Sequence, residues 1–145
     1  MGAAIDMNND WKTSIGLICE QGNVLFDQND FHGALVQYIK AIQAVPQPAE
    51  AWEETTWILS AIGDSYYQMQ NYERAREAFT DAITCPGGLG NPFIHLRLRE
   101  AQLELGNESR AKDELARAYM GGGPEIFDSE PVKYIEFLRR YMNIP

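Results

Sequence analysis

Residues 22–41 read GNVLFDQNDFHGALVQYIKA, and 41 positions further on residues 63–82 read GDSYYQMQNYERAREAFTDA. Both stretches set a glycine (Gly22, Gly63), an alanine twelve on (Ala34, Ala75), an aromatic four further (Tyr38, Phe79) and an alanine three beyond (Ala41, Ala82). A weaker third copy reads Arg99, Ala111, Leu115 and Ala118. A fixed period of this kind means stacked supersecondary units, each burying its apolar face only against its neighbours. Glycine in mid-helix costs up to about 1 kcal/mol against alanine unless a neighbour needs the room. Here the room goes to the second helix of each pair, which approaches through Ala34 or Ala75 and fills the gap with Tyr38 or Phe79. Ala41 and Ala82 permit contact with the next unit, and Phe31 and Tyr72 brace the corners.

The flanking residues extend this to an all-α chain. The first pair of helices is predicted at about 10–27 and 31–44, with Asn29 and Asp30 as turn and N-cap. Pro46 and Pro48 stop it, since neither can donate the next backbone bond. Residues 48–55 exceed a 34-residue period and read as a loop running into an extended helix that carries Trp52 and Trp57. The second pair falls at about 50–69 and 72–84 around Asn71, and Pro86, Gly87, Gly88 and Gly90 break it. The third pair, about 92–105 and 108–120, turns at Gly106-Asn107 and ends at 121–124. A last helix at about 130–142 has Ser129 as N-cap and Pro131 in its first turn. Its stripe of Tyr134, Phe137, Leu138 and Tyr141 opposes Lys133, Glu136, Arg139 and Arg140, as suits a helix that closes the exposed end of a stack.

The chain has 145 residues, 45% of them hydrophobic, and a formal charge of −9. That length fits one domain, 1–145, and the composition suffices for a packed core. The charge disfavours nucleic acid and anionic lipid and suits a basic partner, although ordinary solubility explains it equally well. Cys19 and Cys85 belong to different repeats and to no CxxC pair, so buried free thiols in a reducing compartment are expected rather than a disulfide. No stretch approaches the roughly 18 apolar residues of a membrane span. MGAAIDMNND lacks the pattern of a secretory signal, and Asp6 stands where myristoylation requires Ser or Thr. A cytoplasmic location is expected.

No catalytic constellation emerges. His32 and His95 fall in different repeats without metal-ligand spacing; His32 reads as a surface or capping residue, and His95 reads as structural, with the groove as the alternative. Ser60, Ser65, Ser109 and Ser129 lack a nucleophile-elbow context, and Gly121–Gly123 precedes a proline as a helix stop. Glu53-Glu54 and Asp113-Glu114 are adjacent on helices and point apart. Neither an enzyme nor a cofactor or metal is expected.

At Gly22, Ala34, Tyr38, Ala41 and Pro46, and again at Ile62, Gly63, Tyr66, Ala75, Phe79 and Ala82, the chain resembles the tetratricopeptide repeat family. The likeness covers roughly residues 15–125. Gly87 takes the place of the closing proline in the second copy. In the third, Arg99, Leu115 and Gly123 depart from the motif, while Gly106 and Ala111 match. The resemblance implies three helix-turn-helix repeats (about 15–48, 56–89 and 92–125) stacked as a right-handed superhelix with a C-terminal capping helix (about 130–142). It also implies a concave groove lined by the first helix of each pair.

Groove residues carried over by position are Cys19, Asn23, Phe26 and Asp27 in repeat one and Trp57, Ser60, Asp64 and Tyr67 in repeat two. Repeat three adds Phe93, Leu96, Glu100, Leu103 and Glu104, with Arg97 close by. An aromatic, acidic face suits a partner offering Lys or Arg beside apolar groups. Leu96 and Leu103 read equally as core, and Asp27 and Glu104 as solvated ends. On the groove reading, removing Trp57 and Tyr67 abolishes binding and spares the fold. Family members that clamp acidic chaperone tails use lysine, asparagine and arginine. Here Asn23 and Arg97 match, whereas Cys19, Ala61 and Phe93 do not, so that subtype is not expected.

The segments NPFIHLRLREAQLELGN (91–107) and AYMGGGPEIFDSEPVKYIEFLRR (118–140) resemble parts of small bacterial tetratricopeptide proteins encoded beside polymorphic toxins. This implies an immunity protein that binds and neutralises a basic toxin without catalysis. The alternatives are a secretion chaperone that holds an exported protein in its groove, or a general scaffold. A monomer or weak homodimer is expected.

Overall fold

The computed structural model describes residues 2–106, 108–128, 130, 132–140 and 142, with the side chains of all of these except 2–9, 108–111 and 132. Helix α1 spans Gly2–Asp27 and α2 Phe31–Gln43. They are joined by a turn in which Asn29 takes a positive φ of 63°. The Asp30 amide reaches back to the Leu25 carbonyl at 2.8 Å, and the Asp30 carboxylate caps α2 by accepting from the Gly33 amide at 2.9 Å. The next pair, α3 (Glu53–Gln68) and α4 (Tyr72–Ile83), repeats this turn. Gln70 has a φ of 63°, Asn71 N bonds Tyr66 O at 2.9 Å, and the Asn71 side chain caps α4. Such a left-handed C-terminus with a six-to-one bond satisfies carbonyls that the helix end leaves open. Helix α5 (Pro92–Glu104) starts on the Asn91 side chain, with Pro92 where its missing N–H is harmless. Helix α6 spans Glu108–Gly122 and α7 Val132–Arg139.

Every regular element among the described residues is helical. Helices α1/α2, α3/α4 and α5/α6 form three hairpins that stack in order, α2 against α3 and α4 against α5, with α7 against α6. The repeated residues make the contacts expected of them. Ala34, Ala41, Ala75, Phe79 and Ala82 are fully buried and Tyr38 nearly so. A Cβ on Gly22 would lie 2.7 Å from the Tyr38 ring, and one on Gly63 2.8 Å from the Phe79 ring. Each glycine therefore exists for the aromatic sixteen residues on, whose burial contributes about 2–3 kcal/mol.

In the third hairpin Arg99 replaces the glycine and Leu115 the aromatic. The buried Arg99 guanidinium pairs with Glu114, which also meets His95 Nδ1 at 2.9 Å. A charged cluster thus occupies the place that ring packing holds in the other two. His95 Nε2 reaches the Leu89 carbonyl at 2.6 Å, so the histidine is structural.

Some boundaries differ from the sequence expectation. Helix α1 begins at Gly2 rather than near Asp10, because no proline or glycine pair stops it on the N-terminal side. Trp52 is not helical: residues Ala49–Ala51 form a 3-10 turn, and Trp52 precedes α3 in extended conformation. Its indole Nε1 donates to Pro46 O at 3.0 Å and its ring meets Trp11 edge-on at 4.9 Å, contacts that hold it out of the helix. A further 3-10 turn, Pro124–Phe127, separates α6 from α7, where the sequence suggested a plain stop. Helix α7 is shorter than expected at both ends. Asn107, Ser129, Pro131 and Tyr141 lie outside the described residues, as do the side chains of Ser109 and Ala111. Cys85 is buried and Cys19 half-buried, and neither is in a disulfide.

Candidate functional site

The inner face of the stack, formed by α1, α3 and α5, divides into two halves of different character. Over α3 and α5 it is covered by α7 and the residue that leads into it. The Tyr134 hydroxyl meets the Tyr67 hydroxyl and donates to Glu104 Oε1 at 2.8 Å, and Lys133 pairs with the same Glu104 carboxylate. Phe137 and Leu138 are buried in the same core as Phe79 and Leu96.

Beneath them Arg97 gathers three carboxyl groups. Its Nε lies 2.8 Å from Asp64, and its Nη1 lies 2.9 Å from Glu100 and 2.5 Å from Glu130. The guanidinium also stacks over Tyr67 and Phe93, 4.8 and 5.2 Å from the ring centroids. Burial opposes its charge, and the three carboxyls overcome that and raise its pKa. One arginine cannot compensate three carboxylates. Burial drives Glu100, which has no exposed surface, to a pKa of about 9 against the Arg97 attraction, so it is neutral at pH 7. Burial likewise raises Asp64, with Arg97 opposing. Glu104 is half-buried, which favours its neutral form, yet the bonds from Lys133 and Tyr134 hold it below the usual carboxylate range.

This corrects part of the expected groove. Tyr67 and Glu100 are buried, Leu96 is core, and Glu104 is engaged by α7, because the terminal helix packs across this half. The acidity predicted for repeat three is internally neutralised. Phe93 keeps 37% exposure at the edge of the covered half.

The half between α1 and α3 is open. Here the two helices run side by side without close backbone packing, and a cavity of about 340 Å³ lies between them. Its lining includes Ile15, Gly16, Cys19, Trp57, Ile58 and Ala61. Trp57 presents its indole to solvent at 62% exposure. At one end Lys12 pairs with Glu54 at 3.5 Å, and its ammonium lies over the rings of Trp11 and Trp52.

At the other end the space continues into a second cavity of about 230 Å³ lined by Asn23, Phe26, Tyr38, Ala61 and Asp64. The Tyr38 hydroxyl donates to Asn23 Oδ1 at 2.5 Å, which orients that amide, and burial lifts the Tyr38 pKa to about 12. Phe26 is braced edge-on against Phe31 at 5.0 Å. Asp27 is exposed where α1 ends.

Of the sequence-derived positions, Asn23, Phe26, Trp57 and Asp64 meet around this cleft with Asp27 near its rim, while Tyr67, Phe93, Glu100 and Glu104 do not reach it. Sequence reasoning passed over Gly16, Ile15, Ile58 and Lys12. The one signal for Gly16 was a mid-helix glycine with no aromatic sixteen residues on, where His32 stands exposed.

The arrangement is suited to holding a ligand. Among the described residues no group of three or more His, Cys, Asp or Glu side chains is placed to hold a metal ion, and no helix is long and apolar enough to cross a membrane. Both ring nitrogens of His95 are engaged inside the protein, at Glu114 and the Leu89 carbonyl.

Comparison with solved structures places this architecture among tetratricopeptide domains. The Yersinia enterocolitica type III secretion chaperone SycD, solved with a peptide of the translocator YopD, superposes with a TM-score of 0.70 over 88% of this chain and 92% of its own, at 12% identity. The C-terminal tetratricopeptide-containing domain of a putative FK506-binding protein from Plasmodium falciparum gives 0.70 over 88% and 85%, at 17% identity. The first tetratricopeptide domain of Spaghetti (RPAP3), bound to an HSP90 peptide, gives 0.66 over 87% and 88%, at 16% identity. At these identities the likeness is one of fold: an all-α tetratricopeptide solenoid. No family model matches the sequence, and no curated protein matches it.

Proposed function

We propose that this chain is a non-catalytic protein-interaction module that receives a segment of a partner protein in the cleft between α1 and α3. The observation that carries this reading is the unequal concave face. The chain's own α7 fills one half, and the other half is an open apolar cleft with a solvent-facing tryptophan. Apolar clefts with a few placed polar groups are the usual form of a ligand site. Two proteins that share the fold, the Yersinia chaperone and RPAP3, were solved with peptides.

On the finer question of the partner, a basic toxin domain is favoured by the charge of −9 and by the likeness of segments 91–107 and 118–140 to immunity proteins. The chain then acts in the cytoplasm, as a monomer or weak homodimer, by occluding the toxin. A secretion-chaperone role is the second reading, supported by the shared fold with SycD.

Panning a random-peptide library against the full chain tests the module. Binders should be enriched, and Trp57→Ala should weaken them on the order of tenfold with unchanged far-UV circular dichroism. No enrichment, or binders indifferent to Trp57, contradicts the reading. Co-purification with the product of the adjacent gene separates the finer alternatives: a toxic partner supports immunity, and an exported, non-toxic one supports the chaperone.

A further inference from the structure

Gly16 is a glycine in the middle of an α-helix whose missing side chain nothing fills. At Gly22 and Gly63 an added Cβ would collide with an aromatic ring, which explains those residues by internal packing. At Gly16 an added Cβ meets no atom within 4 Å. Gly16 is exposed and its missing side chain leaves room beside the cleft, and, since glycine is after proline the costliest residue in a helix interior, no packing contact offsets its cost there.

The vacancy opens into the cleft. Trp57, facing it from α3, is the most exposed tryptophan of the chain, and Ile15, Ile58 and Ala61 form an apolar floor. The end beside Lys12 carries the Lys12–Glu54 pair, with the edge-on Trp11–Trp52 contact next to it. At its Asn23 end the cleft adjoins the second cavity, with which it shares Asn23, Tyr38 and Ala61.

From these observations, and resting on the protein-binding reading above, we infer that the space between Gly16 and Trp57 is a socket for one large apolar side chain of a partner segment that carries Lys or Arg beside it. The volume of about 340 Å³ admits an aromatic or branched aliphatic side chain with its backbone. The indole of Trp57 offers a broad apolar face of low conformational cost, and the absent Cβ of Gly16 lets the segment approach the α1 backbone.

The charge follows from the surroundings. Glu20, one turn from Gly16 on α1, is exposed, as is Asp27 further along, while Asp64 in the adjoining cavity is already paired with Arg97. The one cation in the lining, Lys12, is already paired. A cationic flank gains attraction there and an anionic one meets repulsion.

The test uses three capped pentapeptides, Gly-Lys-Phe-Lys-Gly, Gly-Glu-Phe-Glu-Gly and Gly-Lys-Ser-Lys-Gly, titrated at millimolar concentration into the full 15N-labelled chain. The first should produce saturable amide shifts at Gly16, Cys19 and Ala61, and the other two should bind on the order of tenfold more weakly or not at all. Gly16→Phe plugs the socket from the cleft side, so it should keep or raise its urea midpoint while the first peptide loses at least about tenfold in affinity. Trp57→Ser, a change at an exposed position, should have the same effect on binding.

Binding of the first peptide that is indifferent to Gly16→Phe and Trp57→Ser overturns the socket. If its shifts then fall elsewhere on the concave face, the broader reading stands. Stronger binding of the Glu-containing peptide overturns the charge assignment. Absence of any saturable shift overturns the socket outright, while library binders that still depend on Trp57 would keep the module itself in place.

Discussion

One substitution, glycine to alanine, should change sign along this chain. At each of Gly16, Gly22 and Gly63 the new methyl group relieves the backbone-entropy cost of helical glycine, a gain of up to about 1 kcal/mol. At Gly16 nothing offsets that gain, because the added Cβ meets open space. At Gly22 and Gly63 the Cβ lies 2.7 and 2.8 Å from ring carbons of Tyr38 and Phe79. Neither ring can easily withdraw: Tyr38 is 3% exposed and tied to Asn23, and Phe79 is wholly buried.

Overpacking of this sort costs about 1–3 kcal/mol, so Gly22→Ala and Gly63→Ala should be net destabilising by up to about 2 kcal/mol. The propensity gain is common to all three sites. The difference between Gly16→Ala and Gly63→Ala therefore isolates the overlap, at about 1–3 kcal/mol. Urea unfolding followed by circular dichroism measures it. Phe79→Leu, which copies the Leu115 of the third hairpin, should remove much of the Gly63→Ala penalty, giving a coupling of about 1 kcal/mol or more. Equal stabilisation at all three glycines, or additivity of Gly63→Ala with Phe79→Leu, would refute the packing explanation of the repeat.

Glu100→Gln keeps the acceptor that Arg97 uses and removes a carboxyl whose folded pKa of about 9 exceeds its ordinary 4.5. A raised carboxyl favours the fold fully below pH 4.5 and loses that contribution as pH rises towards 9, so the variant should gain on wild type by roughly 1 kcal/mol per pH unit between those limits. Parallel urea titrations at several pH values check this, and a constant offset would contradict it. Arg97→Ala strands Asp64 and Glu130 beneath α7 and should cost about 3 kcal/mol or more in the same assay. Trp57→Ala should shift stability by about 0.5 kcal/mol or less, whereas Tyr67→Ala should cost about 3 kcal/mol or more, because Tyr67 is 8% exposed and bonded to Tyr134. The two aromatics, alike in the sequence, separate in this comparison, and removing both together would not spare the fold.

The hairpins were legible because their determinants are steric and local. Gly22 with Tyr38 and Gly63 with Phe79 must recur at one spacing for a ring to seat on a bare helix, and the Asp30 and Asn71 caps mark the turns between them. What Arg99 and Leu115 signalled was only that the third hairpin differs. The His95–Arg99–Glu114 cluster that replaces the ring joins residues with no repeat to match against. The covered half of the groove was invisible for a related reason. Tyr67 meets Tyr134 across 67 residues, and nothing periodic foretells that a terminal helix folds over the inner face rather than only against the end. Trp52 was misplaced because helical periodicity says little about where a helix begins, whereas its bond to Pro46 O decides the matter. The cleft itself was half legible. Asn23, Phe26, Trp57 and Asp64 were found by position, and Gly16 was missed because it belongs to no repeat.

The most direct measurement is a crystal structure of the full chain with a library-selected peptide. The peptide should lie between α1 and α3 with a large apolar side chain seated between Gly16 and Trp57 and a Lys or Arg turned towards Glu20 or Asp27. A peptide bound instead on the outer face formed by α2, α4 and α6, with the cleft empty, would contradict the assignment of this cleft as the binding site.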